Sequence, residues 1–228
     1  MSDVAARVAA VRERIARACA DAGRDPSTVI LVAASKGQPV ERLQAAWEAG
    51  VRVFGENRVQ EAAAKQPALP AAEWHLIGPL QSNKVRAALD LFTTFHALDR
   101  PKILAAVAAE AVRRGTAVST FVEVNLGGEA SKHGFAPQGL ATTLLPYRAL
   151  PGLRLVGLMA IPPPEASAAA QRRWFRILRE LRDELLAAPG WESFAGWLSM
   201  GMSDDFAAAI AEGATHVRVG SALFGPRD

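Results

Sequence analysis

The sequence predicts a parallel α/β fold closed as a (β/α)8 TIM barrel, with an extra helix ahead of the first strand and residues 1–228 forming a single domain with no second one. Three observations predict it. Eight short apolar strand candidates alternate with helical patterns from end to end. Helix starts and stops carry cap signals in the spaces between them. Polar and small residues gather just past the C-terminal ends of the strands, where a barrel carries its chemistry.

Taken in order, MSDVAARVAAVRERIARACADAG (1–23) is amphipathic and charged throughout, so it reads as a helix and not as a signal peptide with an apolar stretch. Strands follow at 29–34 (VILVAA), 51–54 (VRVF), 74–77 (WHLI), 93–97 (TTFHA), 119–126 (STFVEVNL), 153–159 (LRLVGLM), 196–200 (GWLSM) and 215–219 (THVRV). Helical patterns fill 39–49, 57–65, 81–90, 99–114, 137–148, 166–187 and 203–212. Ser82, Asp99 with Pro101, and Ser203 with its following acids mark helix starts, while Gly50, Gly115 and Gly213 sit where C-caps belong. PPPEAS (162–167) is a loop after the sixth strand, and no Pro/Gly/Ser-rich linker is long enough to separate domains. A doubly wound open sheet is the rival arrangement. The count of eight favours closure, although TTFHA is the least strand-like of the set. Trp47, Trp174, Trp191 and Trp197 are expected to pack in the core or between helices and barrel.

Composition narrows the function classes. Half of the residues are hydrophobic, but no apolar run approaches the ~20 residues of a membrane span. A single cysteine, Cys19, excludes an internal disulfide and fits a cytoplasmic protein, with the thiol packed on the first helix. The net charge is only +3, and the basic residues face acids along helices such as 172–186, which argues against nucleic acid. His133 and His216 have no nearby acid or cysteine at ligand spacing, so no metal is expected.

The most informative residue is Lys36, placed where the first strand ends. The chain holds five lysines against 21 arginines, so a lysine kept there suggests amine chemistry and not charge alone. SMGMS (199–203) and VRVGSALFG (217–225) follow the last two strands, where barrels often seat a phosphate on backbone N–H groups and hydroxyls. An imine-forming amine beside a phosphate seat implies either a phosphorylated carbonyl substrate or pyridoxal phosphate (PLP). Arg218 faces the barrel mouth, either as a structural ion pair or as a donor that keeps the PLP ring nitrogen unprotonated. Asn57 follows Gly55 and Glu56 as a βα turn, and Glu56 is expected to pair with a cation at the mouth.

The stretches LVAASKG (31–37), FGENRVQE (54–61), WHLIGPLQSNK (74–84), VEVNLGGEASKHG (122–134), GLMAI (157–161), LSMGMSDDFAAAI (198–210) and THVRVGSALFG (215–225) together resemble the YggS/PROSC family of PLP homeostasis proteins, in the family's order and over nearly the whole chain. The resemblance implies the fold type III PLP barrel, similar to the N-terminal barrel of alanine racemase. It implies PLP as cofactor, held as a Schiff base on Lys36, with Asn57 beside the ring and Arg218 at the pyridine nitrogen. Ser199, Met200, Gly220 and Ser221 match the phosphate end, and Lys132 matches a lysine that assists cofactor exchange. It further implies a monomer that serves apo PLP-dependent enzymes. The chain departs from the usual pattern at Gly37-Gln38-Pro39 and at Arg58, neither of which removes a group essential for binding.

Three functions compete at this point. The first is a carrier that buffers and delivers PLP in vitamin B6 homeostasis without efficient catalysis of its own. Its ground is that a type III racemase needs a second acid/base on the other face of the cofactor, whereas the only tyrosine, Tyr147, falls on a helical pattern away from the strand ends. The second is a PLP-dependent racemase using His75, His96 or Lys132 as base, although both histidines read more plainly as satisfied barrel residues. The third is an imine-forming aldolase without cofactor.

Overall fold

Short, nearly continuous apolar β-segments drive the eight strands together, because each must bury one face inside a barrel and the other under helices. The computed structural model describes residues 3–128, 133–165 and 167–225. Its strands β1 (Ile30–Ala34), β2 (Val53–Glu56), β3 (Glu73–Leu76), β4 (Thr94–Leu98), β5 (Val118–Glu123), β6 (Leu153–Met159), β7 (Trp197–Ser199) and β8 (His216–Val219) pair in parallel and in sequence order to close a barrel. Closure falls between β1 and β8, where Ile30 pairs with His216 and Val32 with Arg218. All eight expected strands form. β2 runs two residues beyond its expected end, and β5 stops three residues short of its own.

Helix α1 (Asp3–Asp21) precedes the barrel and buries Val4, Val8, Val11, Ile15, Ala18 and Cys19 along one stripe. It packs on α2 (Val40–Glu48) and against the last two helices of the chain. The ring continues with α3 (Val59–Lys65), α4 (Val85–Leu91), α5 (Pro101–Arg113), α6 (Leu140–Leu144), α7 (Ala168–Ala187), α8 (Phe206–Ala211) and the single turn α9 (Ser221–Phe224). The sixth helix is much shorter than expected. Gly139 enters it in the left-handed region, and Pro146 has no N–H with which to continue the helical hydrogen bonds. Tyr147 therefore sits in a turn after α6 and not on a helix. Gly50, Gly115 and Gly213 end helices with φ of 91°, 64° and 92°. Ser203 does not cap α8: Asp205 holds the N-cap position, and Ser203 Oγ accepts from Ala222 N at 3.2 Å.

The side chains sort into two layers. Phe54, Trp74, Phe95, Phe175, Phe206 and Phe224 fill the space between barrel and helices. Inside the barrel lie an apolar group of Val32, Val53 and Ile77 and another of Ala97, Phe121, Val156 and Met159. A register shift in β4 between Phe95 and Leu98 lets consecutive residues, His96 and Ala97, both meet Phe121. β6 approaches β7 so closely that a Cβ on Gly157 would land on Trp197 O. Of the four expected packing tryptophans, Trp191 is buried, but Trp197 remains 37 % exposed at the start of β7. No helix among the described residues is long and apolar enough to cross a membrane.

Candidate functional site

β1 delivers Ser35 and Lys36 to the C-terminal rim, and a buried ionic group behind the strand fixes that turn. Glu56 leaves β2 on its helix-facing side and is fully buried. Its Oε1 accepts from Lys65 Nζ of α3 at 2.6 Å and from Ser35 Oγ at 2.7 Å. Lys65 Nζ also donates to Ser35 O at 2.8 Å and lies 3.6 Å from Glu61 Oε2. Glu61 Oε2 in turn accepts from Gly37 N at 3.0 Å. The residues on either side of Lys36 are thus held through side chain and backbone. Burial raises the Glu56 carboxyl above its ordinary range against the pull of Lys65 and Ser35, in keeping with an Oε2 that has no partner. The expected cation pair of Glu56 exists, but with Lys65 behind the barrel wall and not at its mouth.

Lys36 lines a cavity of about 490 Å³ at this rim. Asn57, Arg218, Gly220 and Ser221 share its wall, so five of the seven residues expected from the sequence meet there. Gly78 closes one side, where a Cβ would press on Asn57 Cα at 2.8 Å. Arg218 is only 4 % exposed; Nη1 donates to Ser199 Oγ at 2.6 Å and Nη2 to Ala160 O at 3.0 Å. Burial lowers its pKa to about 10, which leaves it cationic near neutrality.

Ser199 and Met200 do not reach the cavity wall. Ser199 points into the barrel, fully buried beneath Arg218, and Met200 joins the helix-facing core with Phe206 and Ala209. Alternation along β7 sends the two residues to opposite sides. Gly201, with φ of 90°, then turns the chain so that Met202, Ser203 and Asp204 line the cavity instead. The serine that the β7 loop gives this wall is Ser203, the last residue of the SMGMS stretch expected to seat a phosphate, and it caps no helix.

Other lining residues carried weaker sequence signals. Ile77, Ala97, Met159 and Ile161 give the cavity an apolar middle, and Gln38 and Glu123 add polar groups. Burial raises the Glu123 carboxyl, and the charge of Asp99 raises it further. His75 and His96 do not line the cavity but lie sealed in the barrel, as does His216. Burial pushes His216 down to about 3. Tyr147 is also absent from the cavity wall. Lys132 lies outside the described residues. Among the described residues no group of three His, Cys, Asp or Glu side chains is placed to hold a metal ion.

The family described as "Alanine racemase, N-terminal domain" matches residues 7–228. The pyridoxal phosphate homeostasis protein of Pseudomonas aeruginosa is 47 % identical over 230 residues, covering 100 % of this chain and 97 % of that protein. The protein of the same name from Aquifex aeolicus is 42 % identical over 223 residues, covering 97 % of each. Among solved structures, PipY of Synechococcus elongatus PCC7942 with PLP bound is 35 % identical with a TM-score of 0.84, covering 98 % of this chain and 100 % of PipY. With an alanine racemase N-terminal domain along nearly its whole length, the chain belongs to the family of pyridoxal phosphate homeostasis proteins.

Proposed function

We propose that this protein binds PLP in the rim cavity, buffers it, and hands it to apo PLP-dependent enzymes in the cytoplasm, acting as a monomer without efficient catalysis of its own. One observation carries the reading: a primary amine on a turn clamped at either side, a buried guanidinium and a turn of small polar residues line one cavity with an apolar middle. Those groups match the parts of PLP in kind. Lys36 would supply the amine that holds the cofactor's aldehyde as a Schiff base, with water released. Arg218 donates toward the ring nitrogen, and its positive charge disfavours protonation there. Ser203, Gly220 and Ser221 take the phosphate, and Asn57 lies beside the ring. When bound, PLP supplies an electron sink, which an unprotonated ring nitrogen weakens.

The carrier reading is supported further by what lines the cavity. Among the described residues, no histidine or tyrosine does so, leaving Glu123 and Asp204 as its acids. The names of the relatives describe homeostasis and not a reaction.

The test is an absorption titration with PLP on the wild type and on Lys36→Ala, followed by mixing the loaded protein with an apo PLP enzyme. The wild type is expected to gain a visible band that borohydride removes, Lys36→Ala to lack it, and the apo enzyme to recover activity. An unchanged band in Lys36→Ala would reject the amine's role. Deuterium exchange at an amino acid's α-carbon, fast and dependent on Lys36, would replace the carrier with a racemase-type enzyme.

A further inference from the structure

A buried polar chain crosses the barrel from the cavity toward its other end, and the function proposed above uses only its first member. Arg218 Nη1 donates to Ser199 Oγ at 2.6 Å. Ser199 Oγ lies 2.7 Å from His96 Nδ1, and His96 Nε2 lies 2.9 Å from His75 Nδ1. His75 Nε2 is 3.0 Å from Glu73 Oε1, which also accepts from Thr93 Oγ1 at 3.1 Å. Ser199, His96, His75 and Arg218 are all buried, while the Glu73 side chain is 49 % exposed at the N-terminal end of β3.

With both imidazoles neutral, elimination fixes where the hydrogens sit. A guanidinium only donates, so Ser199 Oγ must accept from Arg218. Glu73 is anionic, its carboxyl held below the ordinary range first by the hydrogen bond from His75, so it only accepts. His96 is fully buried, and that burial, the largest cause, keeps it well below the ordinary imidazole value, so it is neutral and carries one ring hydrogen. With that hydrogen on Nδ1, Ser199 would accept twice and its own hydrogen would have no use in the chain. His75 would then have to donate from Nδ1 and, when neutral, turn an Nε2 lone pair toward a carboxylate. With the hydrogen on His96 Nε2 every contact is satisfied, and each group donates to the next from Arg218 through Ser199, His96 and His75 to Glu73. An anion at the far end makes each acceptor in such a series a better one, and so tightens the hold on Arg218.

We propose that Ser199, His96, His75 and Glu73 are positioning residues, a one-directional hydrogen-bond chain that orients the Arg218 guanidinium toward the bound ring and ties its donor strength to a carboxylate at the other end of the barrel. The role toward the ring rests on the PLP reading; the direction of the chain does not.

Two measurements test it. Side-chain 1H–15N correlation spectra of the free protein at pH 8 are expected to show His75 and His96 both protonated at Nε2 and bare at Nδ1. An Nδ1–H form of either overturns the chain. PLP titrations of variants then test the coupling. Ser199→Ala is expected to bind PLP about 10-fold more weakly, the loss of one hydrogen bond to a charged group, and to shift the absorption maximum of the bound cofactor. Glu73→Ala, outside the cavity wall, is expected to weaken binding about 3-fold with a shift in the same direction, while Glu73→Gln keeps an acceptor oxygen and stays within about 2-fold. Unchanged maxima, with affinity following only the melting temperature, would make these residues structural and overturn the proposal. A wild type that takes up no PLP would sink the cofactor reading, and the tautomer spectra would still decide the direction of the chain.

Discussion

Replacing Lys65 with methionine tests the clamp behind Lys36. The change keeps most of the side-chain volume and removes the ammonium that bonds Glu56 Oε1 at 2.6 Å and Ser35 O at 2.8 Å. Glu56 is left fully buried with Ser35 Oγ as its remaining side-chain donor. Removing one partner of a buried ion pair costs about 3–5 kcal/mol, because the other charge stays uncompensated. With a urea m-value of about 3 kcal/mol per M, the unfolding midpoint falls by about 1–1.7 M. The loss depends on pH. Without the ammonium, the folded-state pKa of Glu56, already raised, moves further above the unfolded value of about 4.3. A carboxyl raised in this way leaves stability intact below the unfolded value and loses it as pH climbs through the folded value. The deficit is therefore larger at pH 8 than at pH 5, by about 1.4 kcal/mol for each pH unit titrated between the two values. Urea unfolding at both pH values reads this directly, and Glu56→Gln added to Lys65→Met should recover much of the loss. A deficit under about 1 kcal/mol, or one equal at the two pH values, would refute the buried-pair reasoning.

Further outcomes follow from the same geometry. His216 titrates at about 3 when folded, against about 6.5 unfolded, so acidification from pH 6 to pH 5 should cost about 1.2 kcal/mol for this residue and more with His96. Here the unfolded chain binds the extra proton, so stability falls as pH falls; a urea midpoint that is flat over that interval would contradict the depressed values. Gly157→Ala sets a methyl on Trp197 O and should destabilise the fold by about 3 kcal/mol, read by thermal melting followed by circular dichroism. Arg218→Met should weaken PLP binding at least about 10-fold in the absorption titration, with Lys36 still able to react.

The site was partly legible in the sequence, and the reason is geometric. Lys36, Asn57, Gly220 and Ser221 lie at or just past strand ends, so finding the strands places them at the rim. Arg218 was readable from its place within the last strand. Ser199 and Met200 were not, because period-2 alternation specifies two faces without saying which one a three-residue strand turns inward. Ser203 was legible only as part of the SMGMS stretch, because the reach of a loop residue depends on the left-handed turn at Gly201, whose consequence is three-dimensional. Likewise Glu56 announced a cation partner, but its pairing with Lys65 needed the packing of α3 on the barrel wall.

By itself the sequence determined the eight-strand alternation, the leading amphipathic helix, and the amine and guanidinium at the strand ends, since periodicity, caps and residue chemistry are local properties. Only the tertiary structure decided which polar groups meet one another. The ordered path from Arg218 to Glu73 joins four strands that are separated in the chain by as many as 145 positions. Closing the barrel brings those inward faces within hydrogen-bond distance, and no local pattern encodes that distance.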